Sequence, residues 1–163
     1  MLTAMCIEAA NQIIIKTNDF NSSNNSTQPI LLSCKRLQKI LYFSDIEYMK
    51  RHNGKSMFDD EYYAWPSGPV IPSVYEEFVK YQSGCMSPAN CTNQKSMEDM
   101  NDAINFVFDR TKNIDTVDLV ADSHVPGGPW SQAYNPDDPD HKQIIPKDKI
   151  YNFYKNRDYL TKN

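Results

Sequence analysis

Long apolar runs are missing from this 163-residue chain. The longest, Ile13-Ile14-Ile15 and Pro29-Ile30-Leu31-Leu32, fall far short of the roughly 20 residues that a membrane-spanning helix needs. The first residues lack a basic n-region, and Glu8 interrupts any signal-peptide core, so the expected location is cytoplasmic. Positive charge is not in excess: 17 Lys and Arg stand against 21 Asp and Glu, a formal net charge of -4. Broad nucleic-acid binding depends on a cationic surplus at the phosphates and is disfavoured. Glycine is scarce, with five residues, and none forms a Gly-x-Gly-x-x-Gly or Walker pattern, so no phosphate loop is expected.

Metal and thiol signatures are absent as well. Cys6, Cys34, Cys85 and Cys91 include no Cys-x-x-Cys pair. Cys85 and Cys91 are close enough in sequence to bridge a loop, but without a secretion signal reduced thiols are the expectation. Asn21-Ser22-Ser23 and Asn90-Cys91-Thr92 match the glycosylation pattern and read as accidents of composition in such a chain. His52, His124 and His141 have no ligand-spaced partner. Asp137-Asp138-Pro139-Asp140-His141 lacks the glycine and the closing glutamate of a calcium loop and reads as solvated. No Gly-x-Ser-x-Gly elbow and no cysteine in an active-site context occurs. No catalytic residue, cofactor or metal is therefore expected.

Aromatics are plentiful at 12%, with ten Tyr, which argues for a folded chain. The length suits one domain spanning 1–163. A helix is expected over 3–16, with Leu2, Cys6, Ala9 and Ile13 on one stripe and Glu8 and Asn11 off it. The Asn/Ser-rich run 18–29 reads as a flexible polar loop. Ser33 is the expected N-cap of the longest helix, reaching His52, with Leu37, Ile40, Leu41, Ser44 and Tyr48 inward and Asn53-Gly54 as its stop. A small β-hairpin is expected around 57–70, since Tyr62-Tyr63-Ala64-Trp65 is strand-like and Pro66-Ser67-Gly68-Pro69 is a turn cluster. Further helices are expected over 72–81, with Val74, Tyr75, Phe78 and Val79 inward, from a cap at Ser96 through Phe108, over 116–123, and after Pro146. The stretch 125–145 reads as a long loop. The sum is a mainly α fold of about six helices with one hairpin.

Lys35, Arg36, Lys39, Lys50, Arg51 and Lys55 form the one basic cluster. It reads first as the solvated side of the long helix, and second as a patch for an acidic partner. Both tryptophans lie beside Gly-Pro steps, in Trp65-Pro66-Ser67-Gly68-Pro69-Val70 and Gly127-Gly128-Pro129-Trp130. Stiff loops would present them, either to plug the core or to anchor a partner.

These blocks carry a resemblance. Arg36-Leu37-Gln38-Lys39-Ile40-Leu41-Tyr42-Phe43 resembles the Lys-Leu-Gln-Lys-Leu-Leu-Tyr helix start of the Panacea domain family. Ala64-Trp65 followed by Gly68-Pro69-Val70 and Val74-Tyr75, then His124 with Pro129-Trp130, resemble its later blocks in order. Ile145-Pro146 through Tyr154 resembles its closing helix. The Asn/Ser-rich run before Pro29 and Ser67 depart from the family pattern. The resemblance implies a compact, mostly helical fold. It implies an antitoxin, of a kind also found in phage and mobile-element settings, that binds a toxin encoded beside it. Some relatives instead deliver a toxin to an ATP-dependent protease, and many carry an added DNA-binding domain for which this chain has no room. Self-association stays open, as does an enzyme acting on the toxin. The expected binding or loop-anchoring residues are Tyr42, Tyr63, Trp65, Gly68, Pro69, His124, Pro129 and Trp130, with Trp65 and Trp130 as anchors and His124 orienting the Pro129-Trp130 loop through a hydrogen bond.

Overall fold

The computed structural model describes residues 5–23, 28–81, 86–89 and 98–161. Among them lie seven helices and three short strands: α1 (Met5–Ser23), α2 (Cys34–Arg51), β1 (Tyr62–Trp65), β2 (Gly68–Val70), α3 (Pro72–Phe78), α4 (Glu98–Thr111), α5 (Thr116–Ser123), α6 (Pro129–Ala133), β3 (Ile144–Ile145) and α7 (Lys147–Tyr154). The fold is mainly α, with the hairpin where it was expected. The strands form one antiparallel sheet in the order β2-β1-β3.

Helix α2 runs through the middle and packs against α1, α3, α4, α5, α7 and β2. Its ends follow the local signals. Ser33 Oγ accepts from the Arg36 amide at 3.1 Å, and Asn53 and Gly54 turn left-handed after the last turn, with φ of 53° and 91°. Its flanks do not follow the amphipathic pattern, because every residue from Arg36 to Glu47 is buried.

Buried polar groups usually find partners, and in α2 Arg36, Gln38, Asp45 and Glu47 each hold a different segment of the chain. Arg36 donates to the Thr111 and Ile114 carbonyls, both at 2.8 Å, where α4 ends. Gln38 clamps Ile71 at both backbone groups, accepting from its N–H at 3.0 Å and donating to its C=O at 3.1 Å. Asp45 accepts from Ser56 Oγ, the Met57 amide and the Tyr62 hydroxyl at 2.7–2.8 Å. Glu47 accepts from Tyr159 and pairs with Arg51 at 2.7 Å. Gln38→Ala would strand two buried backbone groups. A loss of about 2 kcal/mol, read by urea denaturation, is expected.

The basic cluster is therefore divided. Arg36 is 4% exposed and Lys39 0%, so neither belongs to a solvated cationic face.

Other expectations need correcting. Helix α1 continues to Ser23 through half of the segment expected as loop. Side-chain amides stabilise that extension: Asn18 donates to the Met86 carbonyl at 3.1 Å, and Asn21 exchanges two 2.8 Å bonds with the Ile30 backbone. Phe20 also packs edge-on to Phe108. Asn11 and Glu8, expected off the apolar stripe, are buried, Asn11 in a reciprocal amide pair with Ala89. Helix α3 stops at Phe78, and Tyr75 and Val79 are exposed instead of inward. The stretch 125–145 contains α6, which Pro129 opens at its first turn, and β3. Leu2, Thr3, Cys85, the Asn90-Cys91-Thr92 pattern and the Ser96 cap lie outside the described residues. No described helix is long and apolar enough to cross a membrane.

Candidate functional site

Strand alternation places successive side chains on opposite faces. In β1, Tyr62 and Ala64 point into the core, and Tyr63 and Trp65 are half-buried on the other side. Tyr63 is paired with Val70 on one flank and Ile144 on the other. Tyr75 of α3 meets Trp65 edge-on, with ring centroids 5.2 Å apart. Tyr75 is 38% exposed and Ile144 46%. The outer side of the sheet is thus an aromatic face of Tyr63, Trp65, Tyr75 and Ile144.

A buried lysine holds the turn that ends this face. Lys39 reaches from α2 and donates from Nζ to the Pro69 carbonyl at 3.1 Å. Gly68 has a φ of +116°, and a Cβ there would stand 2.6 Å from Lys39 Cε and 2.7 Å from Ser123 Oγ. The glycine is needed both for its backbone conformation and for the space the lysine occupies. Burial pushes the Lys39 amine down to about 7, with Lys35 adding to the shift and Cys34 opposing it.

On the other side of the turn, α5 ends in Ser123 and its C-cap His124. The imidazole hydrogen-bonds to the Ser67 backbone and is held below the usual histidine range, first by burial and then by the Lys39 charge. It lies flat on the Trp130 indole, at 3.7 Å and 8°. Tyr134 also stacks on Trp130, at 4.6 Å and 15°. Trp130 Nε1 donates to the Trp65 carbonyl at 2.8 Å. The chain Lys39, Gly68-Pro69, His124, Trp130 and Trp65 therefore forms one linked unit.

Of the eight residues singled out from sequence, the structure brings seven to this unit or its face. Tyr63 and Trp65 lie on the outer face. Gly68 and Pro69 form the turn over Lys39. Pro129 starts α6, and His124 and Trp130 form the stack. Stacking, not a hydrogen bond, joins His124 to the Trp130 segment. Trp130 sits on a one-turn helix, not on a loop. Tyr42 is apart: it is 0% exposed in the core, edge-on to Tyr62 at 5.3 Å, and behind the sheet. Sequence reasoning missed Gln38, Lys39, Ser123, Tyr75, Tyr134 and Ile144. A lysine within a run of charge reads as surface. Only the demand for glycine at position 68 signals that something close lies beneath it.

One other constellation looks chemical. Cys6 Sγ lies 3.4 Å from Ser73 Oγ, which donates to Asp60 at 3.2 Å. Cys6 is 0% exposed, and burial pushes its thiol up to about 11. It stays protonated and out of reach, which is the opposite of an activated nucleophile. Among the described residues, no three His, Cys, Asp or Glu side chains converge as metal ligands would.

The family model described as antitoxin SocA-like, Panacea domain, matches residues 37–131. No curated protein and no solved structure matches the chain. The matched segment is well over half of the chain. It begins within α2, two residues before Lys39, and ends just after Trp130, so it contains the whole linked unit. On that match, the chain belongs to the SocA-like antitoxin family of Panacea domains.

Proposed function

We propose that the chain neutralises a toxin protein by direct contact, through the aromatic face of Tyr63, Trp65, Tyr75 and Ile144. One observation carries this reading: rings with few rotors stand half-exposed on a short sheet whose backbone is held from behind. Gln38 clamps the end of β2 at Ile71, Lys39 holds Pro69, and Trp130 holds the Trp65 carbonyl. Aromatic side chains fixed in this way bury large area at low entropic cost, as interface hot spots do. In this reading Tyr63 and Trp65 touch the toxin. Gly68, Pro69, His124, Pro129 and Trp130 hold them in place, and Tyr42 supports the sheet from within the core.

The mechanism is occlusion. The face covers the toxin's working surface and changes no covalent bond, so protection requires about one chain per toxin molecule. The test uses the protein encoded by the neighbouring reading frame as the toxin. Residual toxicity or toxin activity is titrated against added chain, and toxin lifetime is followed in cells. Occlusion gives an endpoint near equimolar and an unchanged toxin lifetime. Protection at far lower ratios would point to an enzyme acting on the toxin or its product. A shortened toxin lifetime that depends on an ATP-dependent protease would point to delivery.

A further inference from the structure

We propose that the toxin meets the free edge of β3 with an extended segment, which takes both main-chain hydrogen-bonding groups of Ile144 and adds a strand to the sheet. This rests on the reading that the Trp65 face holds the toxin, and it names the kind of segment that the face receives.

The two edges of the sheet differ. In the order β2-β1-β3, β2 and β3 are the outer strands. The β2 edge is closed from α2. Pro69 has no N–H to offer, its carbonyl accepts from Lys39 Nζ, and Gln38 takes both backbone groups of Ile71, where the strand ends. The β3 edge has no such cover. Ladder groups alternate between the two sides of an antiparallel strand. The Ala64 amide donates to the Gln143 carbonyl at 2.8 Å, so Gln143 and, two residues on, Ile145 turn their backbone groups toward β1. Ile144 lies between them, opposite Tyr63, and its N–H and C=O face away from β1. Helix α6 packs near β3 without bonding to this residue. Among the described residues neither group has a hydrogen-bond partner, and Ile144 is 46% exposed. Buried main-chain groups are nearly always paired, so these two face solvent.

The opening is confined to one residue. The Lys142 amide donates to Asp138 Oδ2 at 3.0 Å. Pro146 lacks an N–H and gives its carbonyl to the Ile150 amide. A long bare edge pairs with any strand, whereas one donor and acceptor beside fixed rings demand a matching segment. An amide group satisfies both at once, as the Gln38 side chain does at Ile71. Main chain is favoured here by side-chain direction. A strand residue paired with Ile144 turns its own side chain to the same face as Ile144, beside Tyr63. One apolar residue in an extended segment therefore uses the edge and the aromatic face together, which is recognition by strand addition.

The test uses the whole chain and the protein of the neighbouring reading frame, both labelled with ¹⁵N. In the free chain the Ile144 amide should exchange with solvent as an unbonded group does. In the saturated complex it should slow by roughly 100-fold, together with a main-chain amide of the toxin. Ile144→Pro removes the outward N–H and keeps the bonds to β1, the setting in which an edge strand accepts proline. It should weaken binding about tenfold beyond whatever Ile144→Ala costs, because a toxin carbonyl loses its donor. An Ile144 amide that exchanges equally fast in the saturated complex overturns the proposal, even where the proline variant fails to fold. Protection of Ile144 with no newly protected toxin main chain overturns it too, since a side chain then holds the edge. So does an Ile144 amide that slows with concentration in the free chain, since a second copy then holds it. If Trp65→Ala abolishes binding and Ile144 exchanges freely in the wild-type complex, strand addition fails alone. If Trp65→Ala binds normally, the aromatic face is misassigned and strand addition falls with it.

Discussion

Gly68→Ala is expected to destabilise the chain by about 2–6 kcal/mol. Two independent costs combine. A non-glycine residue held at positive φ is strained by about 1–3 kcal/mol, and the observed φ is +116°. The new methyl would also enter a filled site, 2.6 Å from Lys39 Cε and 2.7 Å from Ser123 Oγ, and overpacking of this kind costs about 1–3 kcal/mol. Lys39 cannot retreat easily, because it is buried on all sides and bonded to Pro69. Small domains have only about 5–15 kcal/mol of stability in total, so the change should be plain in a urea titration. Pairing it with Lys39→Ala tests the mechanism, since part of the clash is with the end of that side chain. Measured against Lys39→Ala alone, the second substitution should cost less than Gly68→Ala costs in the wild type, while the Ser123 contact and the backbone strain remain. A Gly68→Ala midpoint equal to that of the wild type would mean that the turn does not enclose the lysine as described.

The second large effect separates the two tryptophans. Trp65→Ala is expected to weaken toxin binding at least 30-fold, as loss of a central aromatic anchor worth about 2 kcal/mol or more does. Its cost in stability should be smaller, since the indole rests on Tyr75, whereas Trp130, equally half-buried, packs against the core. Trp130→Ala should behave in the reverse order. It loses the stacks with His124 and Tyr134 and the hydrogen bond to Trp65, and removal of a packed large aromatic costs about 3–5 kcal/mol. Its binding defect should then follow from the loss of fold. Equal losses of affinity with stability intact in both variants would make both anchors, and Trp130 would have to be reassigned from bracket to contact.

Local signals in the sequence located the elements that depend on local chemistry. Ser33, Asn53-Gly54 and Pro72 marked helix ends because caps and stops are made by the residues that flank them. The β1–β2 hairpin was legible because strand-like residues and a turn cluster are contiguous. What was hidden depends on partners far along the chain. The extension of α1 to Ser23 is stabilised by amides bonding to Met86 and Ile30, which no periodicity reports. Strand β3 is two residues long and exists because β1 lies beside it. The core role of Lys39 and Arg36 could not be read from α2 alone, since a helix buried on every side carries its polar residues inward as loop partners. The site was half visible. The Trp, Gly-Pro and His blocks were found as separate motifs, and the lysine that joins them was read as surface. Tyr75 was assigned inward because helical spacing cannot tell a core stripe from a ring turned toward a neighbouring strand.

Hydroxyl-radical footprinting of the chain, alone and bound to the protein of the neighbouring reading frame, tests the assigned face most directly. Tyr63, Trp65 and Tyr75 should oxidise readily in the free chain and become protected together in the complex, with Tyr42 and Tyr62 unreactive in both because they are buried. Continued oxidation of Trp65 and Tyr75 in a saturated complex, with protection instead at the exposed Ile15, Leu31 or Val117, would contradict the account.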